Sequence, residues 1–433
     1  MTNILSLILI VLIFSSCSFN DVGGFWTKEK ELKKEELQFK KLFEEEKFVT
    51  REFNKDFKFF LEKSSLTLNR NSKIDNNDGF GIFNISLSKI QKYNFSKIKD
   101  FYKIEPNLIF HNNNLIFFDN KGSILNFNKD TKLIWKINNY TKAEIKTGPL
   151  LSFAKLKDKL VVADNISKIY AIDINNGKIL WTIKNNSPSN SQIKVLDDKF
   201  FLVDENNTLN CFSINDGKLI WKHNTEKSFI NSSKKLSILI KNELLIFSNS
   251  LGDITAVDVS NGKLIWQRFT LQSKIYEDIM TLKTSDLVEN DNSIYFSNNK
   301  NEFYSYDFNT GTTNWIQKIN SNLKPTIIGN FLFTVSLDGY FYILEKNTGN
   351  ILRITNIFKQ LRLKKNENIY PTGFILNLKE IFISTSNGKL IIADIKSGNI
   401  KDILKIDNEL ISRPFVHNKN MYLIKDDSII KLN

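Results

Sequence analysis

Three histidines, two cysteines, scattered acids and a recurrent tryptophan are the side chains of this 433-residue chain that could do chemistry. His111, His223 and His417 are far apart in sequence, and no His-x-x-His, Cys-x-x-Cys or glycine-rich phosphate loop occurs. Metal and nucleotide chemistry therefore have no support, and no catalytic residue, metal ligand or cofactor is assigned. Cys211, in Asn210-Cys211-Phe212-Ser213, reads as a small buried hydrophobe in a strand. Asp164, Asp173, Asp204 and Asp258 recur with a fixed period, which suits turn residues better than a paired general acid and base.

The tryptophans carry the strongest pattern. Asn176-Gly177-Lys178-Ile179-Leu180-Trp181 returns as Asp216-Gly217 to Trp221, Asn261-Gly262 to Trp266 and, more loosely, Thr310-Gly311 to Trp315. Lys132-Leu133-Ile134-Trp135 is the same phrase with Thr131 in place of glycine, while Gly349 to Arg353 and Gly398 to Asp402 keep the glycine and lose the tryptophan. Seven copies at spacings of roughly 38 to 49 residues mark a repeat protein with one supersecondary unit per copy. Five of the six tryptophans share one position in the repeat, and Trp26 stands outside the repeats. A shared position implies a shared packing task, an indole wedged between neighbouring units, rather than a single binding site.

The elements that position these residues are strands. Leu160-Val161-Val162-Ala163-Asp164, Lys168 to Asp173 and Ile179 to Ile183 are short apolar runs rich in β-branched residues and separated by turn residues. Asn-Gly and Asp-Gly suit the outer hairpin because glycine accepts positive φ. Lys121-Gly122, Leu251-Gly252-Asp253, Asp338-Gly339 and Asn387-Gly388 mark an inner turn. With an upstream run such as Leu150 to Phe153, each unit has four antiparallel strands, and such units must stack to bury both faces. The prediction is an all-β, eight-bladed β-propeller, with seven blades as the alternative. The tail Asn420 to Ile424 and Ser428 to Leu432 lacks an outer strand, and Ile82 to Lys92 is expected to supply it and close the ring.

Composition adds limits. A net charge of +13 accompanies an abundance of Asn, Lys, Ile and Phe, but there is no basic helix or dense Lys/Arg run to meet nucleic acid. Residues 4–13 form an apolar stretch too short to span a bilayer comfortably. Phe14-Ser15-Ser16-Cys17 resembles a bacterial lipoprotein signal, which implies cleavage after 1–16 and acylation of Cys17; a simple secretory signal or uncleaved anchor is the alternative. Residues 17–79 then form a tether, with an amphipathic helix over 28–47 carrying Leu32, Phe39 and Phe43 on one stripe. The propeller occupies 80–433.

Ala171-Ile172-Asp173 to Trp181 and Ala256-Val257-Asp258 to Trp266 resemble the tryptophan-docking repeat of pyrroloquinoline-quinone-type propellers. The quinoprotein dehydrogenase branch uses calcium-binding acids and an adjacent cysteine pair, and this chain has no adjacent cysteines. In length, lipoprotein-like start, eight repeats and an eighth unit finished from the N-terminus, the chain resembles the BamB family of outer-membrane assembly lipoproteins. The resemblance implies a non-enzymatic scaffold at the periplasmic face of the outer membrane. Its partners would be periplasmic domains of the membrane-embedded assembly subunit, and unfolded outer-membrane proteins. Family contacts lie in loops after the third and fourth repeats, here 229–235 and 269–287, which singles out Phe229, Ile230, Lys274, Tyr276 and Asp278. A quinoprotein, or a propeller binding a small ligand or polysaccharide, is the competing reading.

Overall fold

A computed structural model describes residues 51–61, 90–99, 106–228, 232–270, 281–361 and 368–433. Among these residues the strands form eight antiparallel sheets of four strands each. Seven sheets are sequential: blade one covers 109–137, two 151–184, three 194–224, four 238–268, five 288–317, six 326–356 and seven 371–405. Blade eight joins the C-terminal strands Phe415–His417, Asn420–Lys425 and Ser428–Leu432 to the N-terminal strand Ile90–Asn94. Ile90 pairs with Leu432 and Asn94 with Ser428, so the two ends of the chain close the ring within one sheet.

The described closing strand takes up the end of the segment from which it was expected and runs on to Asn94. It shares only Ile90, Gln91 and Lys92 with the segment 82–92, whose remaining residues lie outside the described ones, as do Cys17, the helix expected at 28–47 and the signal at 1–16. An outer strand of this ring buries little: Tyr93 is the one deeply buried residue of Ile90–Asn94, packed edge-on against Phe127 with centroids 5.7 Å apart.

The core consists of the seams between blades. Seven apolar clusters each join neighbouring sheets, from blades two and three (Val161, Ile169, Phe200, Phe212) round to blades seven and eight (Phe382, Ile392, Leu423, Ile430), and the largest joins blades eight, one and two. Second and third strands are buried on both faces, as in Leu160-Val161-Val162-Ala163 and Ile169-Tyr170-Ala171-Ile172. This explains their near-continuous apolar runs, whereas outer strands such as Ile179–Lys184 alternate half-buried and exposed.

Because strands alternate in direction, the ring has two distinct ends. The Asn-Gly and Asp-Gly hairpins between third and outer strands lie at one end. The turns between second and third strands, and the described ends of the blade-to-blade connections, lie at the other, the crossover end.

Residues 51–61, inside the stretch read as tether, pack on the ring. Phe53 bridges to Ile354 on the outer strand of blade six, and Phe59 is buried in the cluster of blades six and seven.

Candidate functional site

In blades one to seven the third and outer strands slip register at one equivalent point, a β-bulge beside the repeat's key residue. The pairs at that row are Asn126 with Trp135, Ala171 with Trp181, Cys211 with Trp221, Ala256 with Trp266 and Ser305 with Trp315. A small residue always stands opposite an indole. Where the tryptophan is lost, the partner is larger: Ile343 opposite Arg353 and Ile392 opposite Asp402.

Each indole leans onto the hairpin glycine of the next blade. A Cβ built on Gly177 would lie 3.1 Å from Trp135, on Gly217 2.8 Å from Trp181, and on Gly262 and Gly311 2.5 Å from Trp221 and Trp266. Gly349 has the same relation to Trp315, at 2.5 Å, and joins the set the sequence named; the phrase Gly349 to Arg353 was its signal. The indole N–H of Trp181 donates to Ile214 O at 3.0 Å, that of Trp266 to Phe308 O at 3.2 Å and that of Trp315 to Lys346 O at 2.9 Å. The Nε1 atoms of Trp135 and Trp221 are buried with no acceptor among the described residues.

The periodic acids sit in turns. Asp164 accepts backbone N–H bonds from Ile166 and Lys168 and the hydroxyl of Tyr140 at 2.7 Å; burial raises its pKa against those bonds. Asp204 repeats the pattern with Asn206, Thr208 and the Asn210 amide. Asp173 accepts from Asn175 N, and Asp258 from Ser260 N, which with the Ser260 hydroxyl holds its carboxyl below the usual range. Cys211 is buried, and desolvation pushes its thiol up to about 12. The histidines do not converge on a ligand position: His111 faces Asn175, His223 meets Gly262 O at 3.0 Å, and His417 stacks on Phe110 with centroids 4.0 Å apart. Among the described residues no three His, Cys, Asp or Glu side chains stand together as a metal site, and no helix is long and apolar enough to cross a membrane.

The feature that local sequence reasoning missed is axial. At the crossover end the inner strands open into a cavity of about 980 Å³, lined in part by Lys234, Lys283, Lys324, Asp286, Tyr370 and Arg413. Two contacts reach across it between blades that are not neighbours. Arg413, at the foot of blade eight, meets Asp286 at the foot of blade five with Nη1 3.3 Å from Oδ2. Lys234, before blade four, donates from Nζ to Asn322 O, before blade six. Partners 127 and 88 residues apart leave no local pattern in the chain.

The same end carries the two connections singled out by sequence. Phe229, Ile230, Lys274, Tyr276 and Asp278 all lie outside the described residues. Of the flanking ones, Ser233, Lys234, Thr281, Lys283 and Asp286 line the cavity, and Phe269 is exposed.

A family model described as outer membrane protein assembly factor BamB matches residues 120–355, blades one to six of the ring. The outer membrane protein assembly factor BamB of Legionella pneumophila (strain Paris) is 26% identical over 155 residues, which cover 35% of this chain and 35% of that protein. Among solved structures, BamB from Moraxella catarrhalis aligns with a TM-score of 0.64 at 16% identity, covering 79% of this chain and all (100%) of that one. A europium-containing methanol dehydrogenase aligns with a TM-score of 0.61 at 12% identity, covering 80% and 86% respectively. At these identities both structures speak to the fold alone.

Proposed function

Because the chain belongs to the outer membrane protein assembly factor BamB family, we propose that it is a non-catalytic scaffold that assists outer-membrane protein assembly. It is anchored through acylated Cys17 at the periplasmic face of the outer membrane. The crossover end binds periplasmic domains of a membrane-embedded assembly subunit through 229–235 and 269–287, with Phe229, Ile230, Lys274, Tyr276 and Asp278 as contacts. The family match, which runs through the blades flanking both connections, is the observation that carries this reading. Long connections on a rigid ring are where binding residues accumulate.

The axial cavity is the one observation that favours the competing small-ligand reading. A quinone of the dehydrogenase type does not fit these residues. Cys211 is spent opposite Trp221 in blade three, away from the cavity lining, and no acidic cluster stands there among the described residues to hold a cation.

Affinity capture of the full-length protein from detergent-solubilised envelope tests the scaffold reading. Co-recovery of a barrel-assembly subunit is expected, and its loss on Lys274→Glu together with Tyr276→Ala. Recovery without any assembly component, or dye reduction on adding the quinone and calcium, overturns it.

A further inference from the structure

Blade six differs from its predecessor in the row that carries the indole. In blade five that row runs Tyr295, Ser305, Trp315, and the indole lies 6.0 Å from Tyr295 and 5.8 Å from Phe303. In blade six it runs Phe333, Ile343, Arg353. Arg353 is only 3% exposed: its Nη2 donates to Ser397 O at 2.8 Å and its Nε to Thr355 Oγ1 at 3.0 Å, while Nη1 is buried with no acceptor among the described residues. Gly398 in blade seven accordingly meets Thr355 where the other hairpin glycines meet an indole. A guanidinium holds the next hairpin but brings no ring to the seam.

An aromatic ring arrives from elsewhere in the chain. Phe59, 3% exposed, lies 5.4 Å from Phe331 and 6.1 Å from Phe333, the residue that stands where Tyr295 stands in blade five. It shares a cluster with Phe341 and Ile343 of blade six and Ile381, Ile383 and Ile391 of blade seven. Trp315 shares one with Phe303 of blade five and Leu332, Tyr342 and Leu344 of blade six. Phe57 stacks on Phe59 at 6.1 Å and meets Phe331 edge-on at 6.4 Å.

Main-chain bonds fix the approach of this segment. Phe53 N–H donates to Ile354 O and Ile354 N–H to Phe53 O, both at 3.1 Å, and the Asn54 side-chain amide donates to Leu352 O at 3.1 Å. The segment therefore adds a short bridge to the free edge of an outer strand. Burial lowers the pKa of Arg353, opposed first by Asp394 of blade seven and then by Asp56 and Glu52, so the segment adds to the charge that complements the substituted residue.

We propose that the seam between blades six and seven is a docking site for an extended aromatic segment, filled by the chain's own residues 51–61. Phe59 performs the packing that a tryptophan performs in blades one to five. The five indoles belong to the sheets they brace. Phe59 reaches its seam from outside the repeats, on a segment whose main chain pairs with the sheet only at the bridge of Phe53 with Ile354, so this seam can open while its sheets stay intact. Once released, it presents an apolar slot beside an unpaired strand edge.

Amide hydrogen exchange and thermal unfolding of the full-length protein test this, with the Ile354 N–H as the specific reporter. Phe59→Ala is expected to lower the unfolding midpoint and to speed exchange at Ile354 by at least about tenfold, while Lys58→Ala, at an exposed residue of the same segment, changes neither. Restoring the indole inside the blade separates packing from general damage. In Phe59→Ala/Arg353→Trp the midpoint recovers while Ile354 remains fast to exchange. A slow Ile354 in Phe59→Ala overturns the docking site, and a double variant no more stable than Phe59→Ala overturns the surrogate role.

Discussion

Trp266 in blade four and Gly311 in blade five approach so closely that a Cβ on Gly311 would lie 2.5 Å from the indole Cε3. The same hairpin accepts the indole N–H at Phe308 O, and Gly311 holds φ +66°. Two independent demands, a left-handed backbone and an open space under the ring, thus fall on one residue.

Those demands can be separated by substitution. Gly177, Gly262 and Gly311 have similar φ, +66° to +75°, but a Cβ would be 3.1 Å from the indole at Gly177 against 2.5 Å at the other two. Gly177→Ala is expected to lose about 1–2 kcal/mol, the backbone cost. Gly262→Ala and Gly311→Ala add overpacking and are expected to lose roughly 2–5 kcal/mol. Urea unfolding midpoints of the three variants check the order, and equal losses would show that backbone strain alone matters.

Thr131 occupies the glycine position of blade one with φ +66°. The preceding blade, eight, places Gln91 opposite Lys431 at the equivalent row of its outer strand, so no tryptophan stands there. Room for a side chain is therefore left, but a β-branched residue still bears the left-handed strain. Thr131→Gly is expected to stabilise the protein by about 1 kcal/mol, the relieved strain being partly offset by glycine's larger chain entropy. A midpoint unchanged or lowered would contradict this account.

What could be read from the chain follows from how local each constraint is. The phrase from Gly217 to Trp221 is visible because turn, bulge and indole contact repeat at fixed offsets, and a ring of such units follows. The source of the closing strand could be read, but its bounds were hard to read because outer strands bury so little, Tyr93 alone among Ile90–Asn94. Phe57, Phe59 and Leu61 were read as part of a tether because they are alternate positions of a short segment otherwise dense in charge. The axial pairs of Arg413 with Asp286 and Lys234 with Asn322 join residues that no local window contains.

Cys211 is the small residue opposite Trp221, as Ala256 is opposite Trp266. Cys211→Ala is expected to cost little, whereas Cys211→Ile overpacks the row and is expected to cost roughly 1–3 kcal/mol. With its thiol pushed up to about 12 by burial, Cys211 is expected to react with iodoacetamide at neutral pH only as the protein unfolds. Labelling as fast as that of a free thiol would show the row to be open.

Acid sensitivity is set first by His223 and His417. Burial lowers the pKa of both, with Lys155 adding to the effect on His417 and the bond to Gly262 O opposing it on His223. Below about pH 6.5 the unfolded state takes up these protons more readily than the folded state, so stability rises with pH in this window. The stability is fully present above the unfolded pKa and is lost as pH falls toward the folded values. His417→Phe keeps a ring against Phe110 and removes one titrating group. Unfolding midpoints measured from pH 7.5 to 5 are expected to fall less steeply in this variant, and an unchanged slope would exclude His417 as a source.

The axial contacts bear on cooperativity. A ring of repeats otherwise couples each sheet to its neighbours, so its sheets can in principle melt in groups. Arg413 to Asp286 ties blade eight to blade five, and Lys234 to Asn322 ties the foot of blade four to that of blade six. Asp286 is buried, while the Arg413 side chain is 28% exposed, which screens the pair. Arg413→Met is therefore expected to cost about 1–2 kcal/mol, below the full penalty of breaking a buried pair. Because the two contacts share no residue, Arg413→Met and Lys234→Met are expected to add within about 0.5 kcal/mol. If the contacts carry long-range coupling, the double variant also unfolds over a broader range of urea, with tryptophan fluorescence and far-ultraviolet circular dichroism no longer coincident. Coincident, equally sharp transitions in the double variant would confine these contacts to local bracing of the cavity mouth.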